Sequence, residues 1–156
     1  MKHLVVIGIL VGALAATGYA QQTAQKAAAP SKQAAAGQKA SGDLLGTVRL
    51  PRAVKANDQP LPAGTYQVRL GSEEVKPATG ASPQSERWVE FVQGGQVKGR
   101  EVASVVPNAE VRQIAEDKQA PPAAGQARVQ LLKGEKYLRV WLNKGGNSYL
   151  IHLPPA

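Results

Sequence analysis

The sequence predicts an all-β protein: a small antiparallel β-sandwich of about seven or eight strands, preceded by a signal peptide and a disordered linker. Two observations carry the fold class. From Asp43 onward, short runs rich in Val, Leu, Tyr and Trp alternate with clusters of Gly, Pro, Asn and Asp, the texture of strands joined by tight turns. Ten of the 11 prolines also lie in this part, mainly between the runs, where a missing N–H does least harm. A third observation sets the boundary, because nothing before Asp43 shows that texture.

The chain of 156 residues opens with Met1-Lys2-His3, a short basic start, followed by an unbroken apolar run from Leu4 to Ala16. Thr17-Gly18-Tyr19-Ala20 then supplies small residues at the third and first positions before Gln21. Those are the three parts of a secretory signal, so residues 1–20 read as a signal peptide cleaved after Ala20. The run is shorter than the roughly 20 apolar residues of a spanning helix. Retained uncleaved, it is the one route by which this chain would hold a membrane. Residues 21–42 contain no large apolar side chain and cannot offset their ordering entropy, so they read as a disordered Ala/Gln/Lys-rich linker.

The domain proper spans residues 43–156. Strands are expected near Leu44–Leu50, Thr65–Leu70, Arg87–Val92, Gln96–Val106, Ala127–Leu132, Lys136–Leu142 and Asn147–Leu153, with a short extended piece around Arg52–Lys55. Asn108 as an N-cap, with Val111 and Ile114 one helical contact apart, allows a short helix or turn over residues 108–117. Residues 118–126, with Pro121-Pro122, read as a mobile loop.

Two hairpins can be set in register. A turn at Lys144-Gly145, or a four-residue loop there, pairs Val140 with Tyr149 and Leu138 with Ile151, placing all four on a core face. A Lys133-Gly134 turn pairs Val129 with Leu138 and Ala127 with Val140, at the expense of setting Arg128 opposite Arg139. Tyr137, Arg139 and Trp141 then face outward, with Trp141 opposite Ser148 and Tyr137 opposite His152. Two rings, a guanidinium and an imidazole would form a strip able to stack on sugars or peptide groups and to pair with a carboxylate. In a two-layer domain Trp141 can equally be core.

Composition excludes several functions. The formal charge of +8 falls to a mild +4 from Asp43 onward, 15 Lys/Arg against 11 Asp/Glu, and the basic residues are scattered rather than set in a stripe. That is not the footprint of a nucleic-acid binder. The absence of cysteine excludes disulfides, thiolate metal sites, thiol catalysis and a lipid-modified cysteine. Beyond residue 20 one histidine remains, His152, too few for the usual zinc sets. No G-x-S-x-G elbow, phosphate loop, dinucleotide fingerprint or H-E-x-x-H motif occurs. No catalytic, metal or cofactor residue is therefore assigned. The nearest approach to chemistry is Glu90 with Glu101. A Gly94-Gly95 turn would set Glu90 opposite Gly99 and Trp88 opposite Glu101, making the carboxylates diagonal neighbours beside a ring. Such a pair suits glycosidic hydrolysis or calcium, or it is a charged ladder on a solvated face.

Asn57–Tyr66 (NDQPLPAGTY) resembles a segment of small secreted bacterial β-sandwiches: a polar turn, then Leu-Pro-Ala-Gly-Thr-Tyr entering a strand. It is similar to segments of prealbumin-like and carboxypeptidase-regulatory-like domains, and of uncharacterised exported proteins with the stretch Glu86-Arg87-Trp88-Val89-Glu90-Phe91. The resemblance implies a sandwich and no activity. The function expected is that of a non-enzymatic binding or scaffolding module at the bacterial cell envelope, secreted or periplasmic, with an envelope glycan or protein as partner. Two other expectations stand beside it: a small hydrolase or calcium-binding domain using Glu90 and Glu101, and a signal-anchored assembly subunit whose free strand edges pair with another chain.

Overall fold

The computed structural model describes residues 39–156 apart from 41, 77, 78, 80, 81, 83, 115–118, 133 and 135. The expected signal peptide and most of the expected linker therefore lie outside the described residues. Among the described residues nine strands and one short helix follow in chain order: β1 (Leu44–Leu50), β2 (Val54–Ala56), β3 (Gln59–Leu61), β4 (Gly64–Leu70), β5 (Glu86–Gln93), β6 (Gln96–Pro107), α1 (Val111–Ile114), β7 (Ala127–Leu131), β8 (Leu138–Lys144) and β9 (Asn147–Leu153).

The all-β antiparallel class holds. Its layers are halves of one continuous sheet in the order β1-β4-β5-β6-β9-β8-β7. The sheet curls until β1 lies alongside β7 and β8, so it is nearly closed. Its inner face carries the core, including Val48, Tyr66, Val68, Val89, Phe91, Val140, Leu142 and Ile151. The Tyr66 and Phe91 rings meet edge to face at 6.2 Å, and the Tyr66 hydroxyl donates to the Pro62 carbonyl at 2.8 Å. The Leu-Pro-Ala-Gly-Thr-Tyr segment thus ties its own turn to the core. Burial raises the Tyr66 pKa.

One end of the barrel is closed by the β2–β3 hairpin, whose second strand was missed in the sequence because Pro60 lies in the middle of three residues. Val54, Ala56 and Leu61 are fully buried there. The hairpin is tied to the end of β9 by a Lys55 N–H donated to the Pro154 carbonyl at 2.8 Å. Close approach requires Gly99 beneath it, since a Cβ at that position would sit 3.0 Å from Leu61 Cδ2 and 3.3 Å from Ala56 Cβ.

Two registers differ from expectation. β8 and β9 turn at Gly145-Gly146, pairing Val140 with Ile151, Leu138 with Leu153 and Leu142 with Tyr149. The tight turn needs positive φ at both central residues, and the glycines supply it (60° and 79°) where Lys144 would be strained. Relative to the expected pairing, each β8 residue faces a partner two positions further along β9. Parity is preserved, so the predicted core face stands. Likewise Ala127 pairs with Leu142 and Val129 with Val140. The expected Arg128–Arg139 clash does not occur, because Arg128 stands opposite Trp141 with its guanidinium 5.5 Å from the ring centre.

Two smaller apolar clusters lie outside the barrel. Val106, Val111, Trp141 and Leu150 form one, roofed by the described parts (108–114 and 119–126) of the chain from Asn108 to Gln126. That chain includes α1, a single helical turn where the sequence allowed either a short helix or a turn. Its described part beyond residue 118, expected to be a mobile loop, is anchored: Asn143 Nδ2 donates to the Pro122 carbonyl at 2.7 Å and the Gly125 N–H to the Asn143 carbonyl at 2.8 Å. Val92 and Val97 form the other, covered by Ala40.

Candidate functional site

The predicted strip divides when its residues are placed. Trp141 is fully buried. Its indole N–H donates to Ser148 Oγ at 2.9 Å, and that hydroxyl donates in turn to Asn108 Oδ1 at 2.7 Å. Asn108 Nδ2 reaches Asn143 Oδ1 at 2.9 Å. This satisfied polar chain fixes the roof over the ring, which places Trp141 in the core, the second of the two placements open to it. Cross-strand from it stands Leu150, not Ser148.

The remaining residues do converge. Arg139 pairs across the strands with His152 on β9 and with Gln130 on β7, where Tyr137 had been expected opposite His152. Arg139 is only 9% exposed, and its Nε donates to His152 Nε2 at 3.0 Å. His152 therefore acts as an acceptor and is neutral in this arrangement. Burial, and then the Arg139 charge, hold its pKa below the usual histidine range. Tyr137, two residues before Arg139, is 47% exposed. Arg139 and His152 thus stand together, with an exposed phenol ring two residues before Arg139 in the chain.

Glu90 and Glu101 are not brought together. β5 and β6 turn at Gly94-Gly95 and pair Val92 with Val97, but the register then slips so that Phe91 faces Gly99. Lys98 is the extra residue of a bulge. Beyond it Glu90 stands opposite Arg100 and Glu101 opposite Val89, so the carboxylates occupy opposite faces of the sheet. The bulge has a physical reason. Without it Lys98 and Arg100 would point into the core, whereas with it Gly99, Ala103 and Val105 do. Glu90 lies buried between its cross-strand neighbours Arg69 and Arg100, 3.9 Å from the latter's Nε. Arg100 also approaches Glu73 at 3.2 Å and caps the Trp88 ring at 5.4 Å. Glu101 Oε2 accepts the Asn57 N–H at 2.7 Å, fixing the β2–β3 turn. Both carboxylates have structural engagements.

An open cleft of about 680 Å³ was not foreseen from the sequence. It lies where β5 begins and β6 ends, lined by Ser82, Ser85, Arg87, Val105, Glu110 and Tyr149 among others. Its residues come from segments far apart in the chain, which no local pattern signals. Among the described residues no group of three or more His, Cys, Asp or Glu could hold a metal ion, and no helix is long and apolar enough to cross a membrane. Comparison with known proteins finds no matching family model, no matching curated protein and no matching solved structure.

Proposed function

We propose that this chain is an exported, non-enzymatic binding or scaffolding module of the bacterial cell envelope, secreted or periplasmic, whose recognition surface is the outer face of β8 and β9 around Tyr137, Arg139 and His152. One observation carries the reading. The outer surface of the sheet is roofed over Trp141 by segments 108–114 and 119–126 and over Val92 and Val97 by Ala40, yet the large ring of Tyr137 stays in water. Exposed aromatics beside a fixed cation are what glycan and protein partners use. The two-layered form of the curled sheet suits a rigid display of that face, as a sandwich would.

The assembly-subunit reading has less support, because the two sheet edges, β1 and β7, face one another. The hydrolase reading has lost the adjacency of Glu90 and Glu101 on which it rested. A glycan and peptide binding screen on the exported protein, repeated with Tyr137→Ala, tests the proposal. A hit weakened at least tenfold by the substitution, at unchanged melting temperature, is expected. Hits insensitive to Tyr137 would move the recognition surface elsewhere. The export step is tested by intact mass, which should correspond to a chain beginning at Gln21.

A further inference from the structure

We propose that Arg139 is an anion anchor and that the ligand taken by this surface carries a carboxylate; the assignment rests on the recognition surface named above and specifies its chemistry.

The starting point is Arg139, 9% exposed as a whole residue, with no negative partner among the described residues. A cation so largely withdrawn from water is costly unless a negative group answers it. The fold provides such answers elsewhere: Arg100 has Glu73 at 3.2 Å and Glu90 at 3.9 Å. Around Arg139 the neighbours are of another kind. Across the strands stand Gln130 and His152, and along β8 stand Leu138 and Val140, with Tyr137 and Trp141 beyond them. None carries a negative charge, and among the described residues no carboxylate lies within ion-pair range of Arg139. His152 supplies one lone pair to Nε, which orients the guanidinium without neutralising it.

The geometry of what is left over selects the ligand. Because Nε is engaged by His152, the available edge of the guanidinium is the terminal one, formed by Nη1 and Nη2. Among the described residues neither terminal nitrogen has a hydrogen-bond partner, the one contact being that of Nε, and neither is among the buried side-chain atoms lacking a partner, so the edge keeps some contact with solvent. Two parallel N–H donors in a plane match the two oxygens of one carboxylate. A single cation with a neutral flank balances a monoanion, whereas a phosphate dianion would call for further donors. Tyr137, exposed two residues before Arg139 in the chain, offers a ring against which the remainder of the ligand can lie. His152 borders the site and reports on it.

The experiment is a histidine-selective NMR titration of the full chain at constant ionic strength, following the His152 imidazole. The probes are N-acetylalanine, N-acetylalaninamide and inorganic phosphate. Expected is a saturable shift with N-acetylalanine, at least tenfold weaker apparent affinity for the amide, and a loss of at least tenfold in Arg139→Lys, which keeps the charge but not the two-donor edge. Equal affinity for acid and amide would overturn the carboxylate assignment, and so would tighter binding of phosphate. No saturable shift with any probe would overturn the anchor itself. The acid-versus-amide comparison uses the unaltered protein, so it stands even where Arg139→Lys fails to fold. A screening hit that depends on Tyr137 but lacks an acidic group would leave the recognition surface intact and sink only the carboxylate.

Discussion

Two hairpins of this protein turn on the same dipeptide and then diverge. β5–β6 turns at Gly94-Gly95 and β8–β9 at Gly145-Gly146, with all four glycines at φ between 60° and 79°. Past the second turn the ladder runs without a break from Lys144↔Asn147 to Leu138↔Leu153. Past the first it slips after two pairs, at Lys98. An identical turn therefore does not fix an identical outcome. The turn sets the first pairs, and the side chains that follow decide whether the alternation can be carried on. In β9, Tyr149, Ile151 and Leu153 continue an apolar face in step with β8. In β6, the residues in step with Phe91 would be Lys98 and Arg100, and one added residue moves them out of the interior.

The contrast is sharpest under deletion. Removing Ser148 from β9 should abolish cooperative folding, because Tyr149, Ile151 and Leu153 would all exchange faces. Removing Lys98 should leave a folded protein, since Val92↔Val97 and Phe91↔Gly99 can both persist once the bulge is gone. Circular dichroism under urea distinguishes the two, and equal damage from both deletions would show that the bulge is not a separable insertion.

Next in size are the two tryptophans, one on each hairpin's outer face. Trp141→Ala should cost about 3–5 kcal/mol, because the ring is fully buried and its loss also strands Ser148 and the roof above it. Trp88→Ala, half-buried under Arg100, should cost about 1–2 kcal/mol. Similar urea midpoints for the two variants would mean that the roof over Trp141 contributes little.

A smaller test bears on the unbroken ladder alone. Val140→Ala or Ile151→Ala should lose about 2–4 kcal/mol from the inner face, whereas Lys144→Ala, exposed beside the turn, should lose under about 0.5 kcal/mol. Comparable losses for all three in chemical denaturation would refute the observed inner face.

The smallest effect expected is electrostatic. Burial and the Arg139 charge favour neutral His152 in the folded state, so its folded pKa lies below its unfolded one. The associated stability is present above the ordinary histidine pKa of about 6.5, declines as pH falls through it, and levels off below the folded value. His152→Gln should remove this part of the acid sensitivity. Identical pH dependence of the urea midpoint in wild type and variant would show that the Arg139–His152 contact carries no linkage.

These comparisons also mark how far the residues could be read in one dimension. Leu44–Leu50 and Asn147–Leu153 stand in the structure with the bounds their alternation suggested, because each has one apolar face and a turn at its end. The core face of Leu138, Val140, Tyr149 and Ile151 was legible for the same reason, even though the turn was set one residue early. The placement of Glu90 and Glu101 was not legible from the turn. It was encoded in the mismatch between charged Lys98 and Arg100 and apolar Phe91, a signal visible only when the facing strands are aligned against each other. The burial of Trp141 depended on segments 108–114 and 119–126 lying back over β8, and Pro121-Pro122 gave no indication of that. Nor could alternation alone tell two stacked sheets from one sheet curled upon itself. The patch around Arg139 was read in outline. Its largely buried cation, flanked by neutral Gln130 and His152, became visible only when the facing strands were placed.

The strap between Lys55 and Pro154 gives the molecule a built-in order of completion. Val54 bridges Pro155, so the base of the barrel joins positions roughly a hundred residues apart, among the most distant contacts in the fold and the slowest to form. Until residues 147–155 are available, Val54, Ala56 and Leu61 have no finished wall to rest against. The N-terminal strands can hairpin locally, but the vessel stays without a floor. For a chain threaded unfolded across a membrane, as the proposed export requires, such lateness is an advantage: closure falls due only when residues 147–155 have joined the earlier strands on the far side.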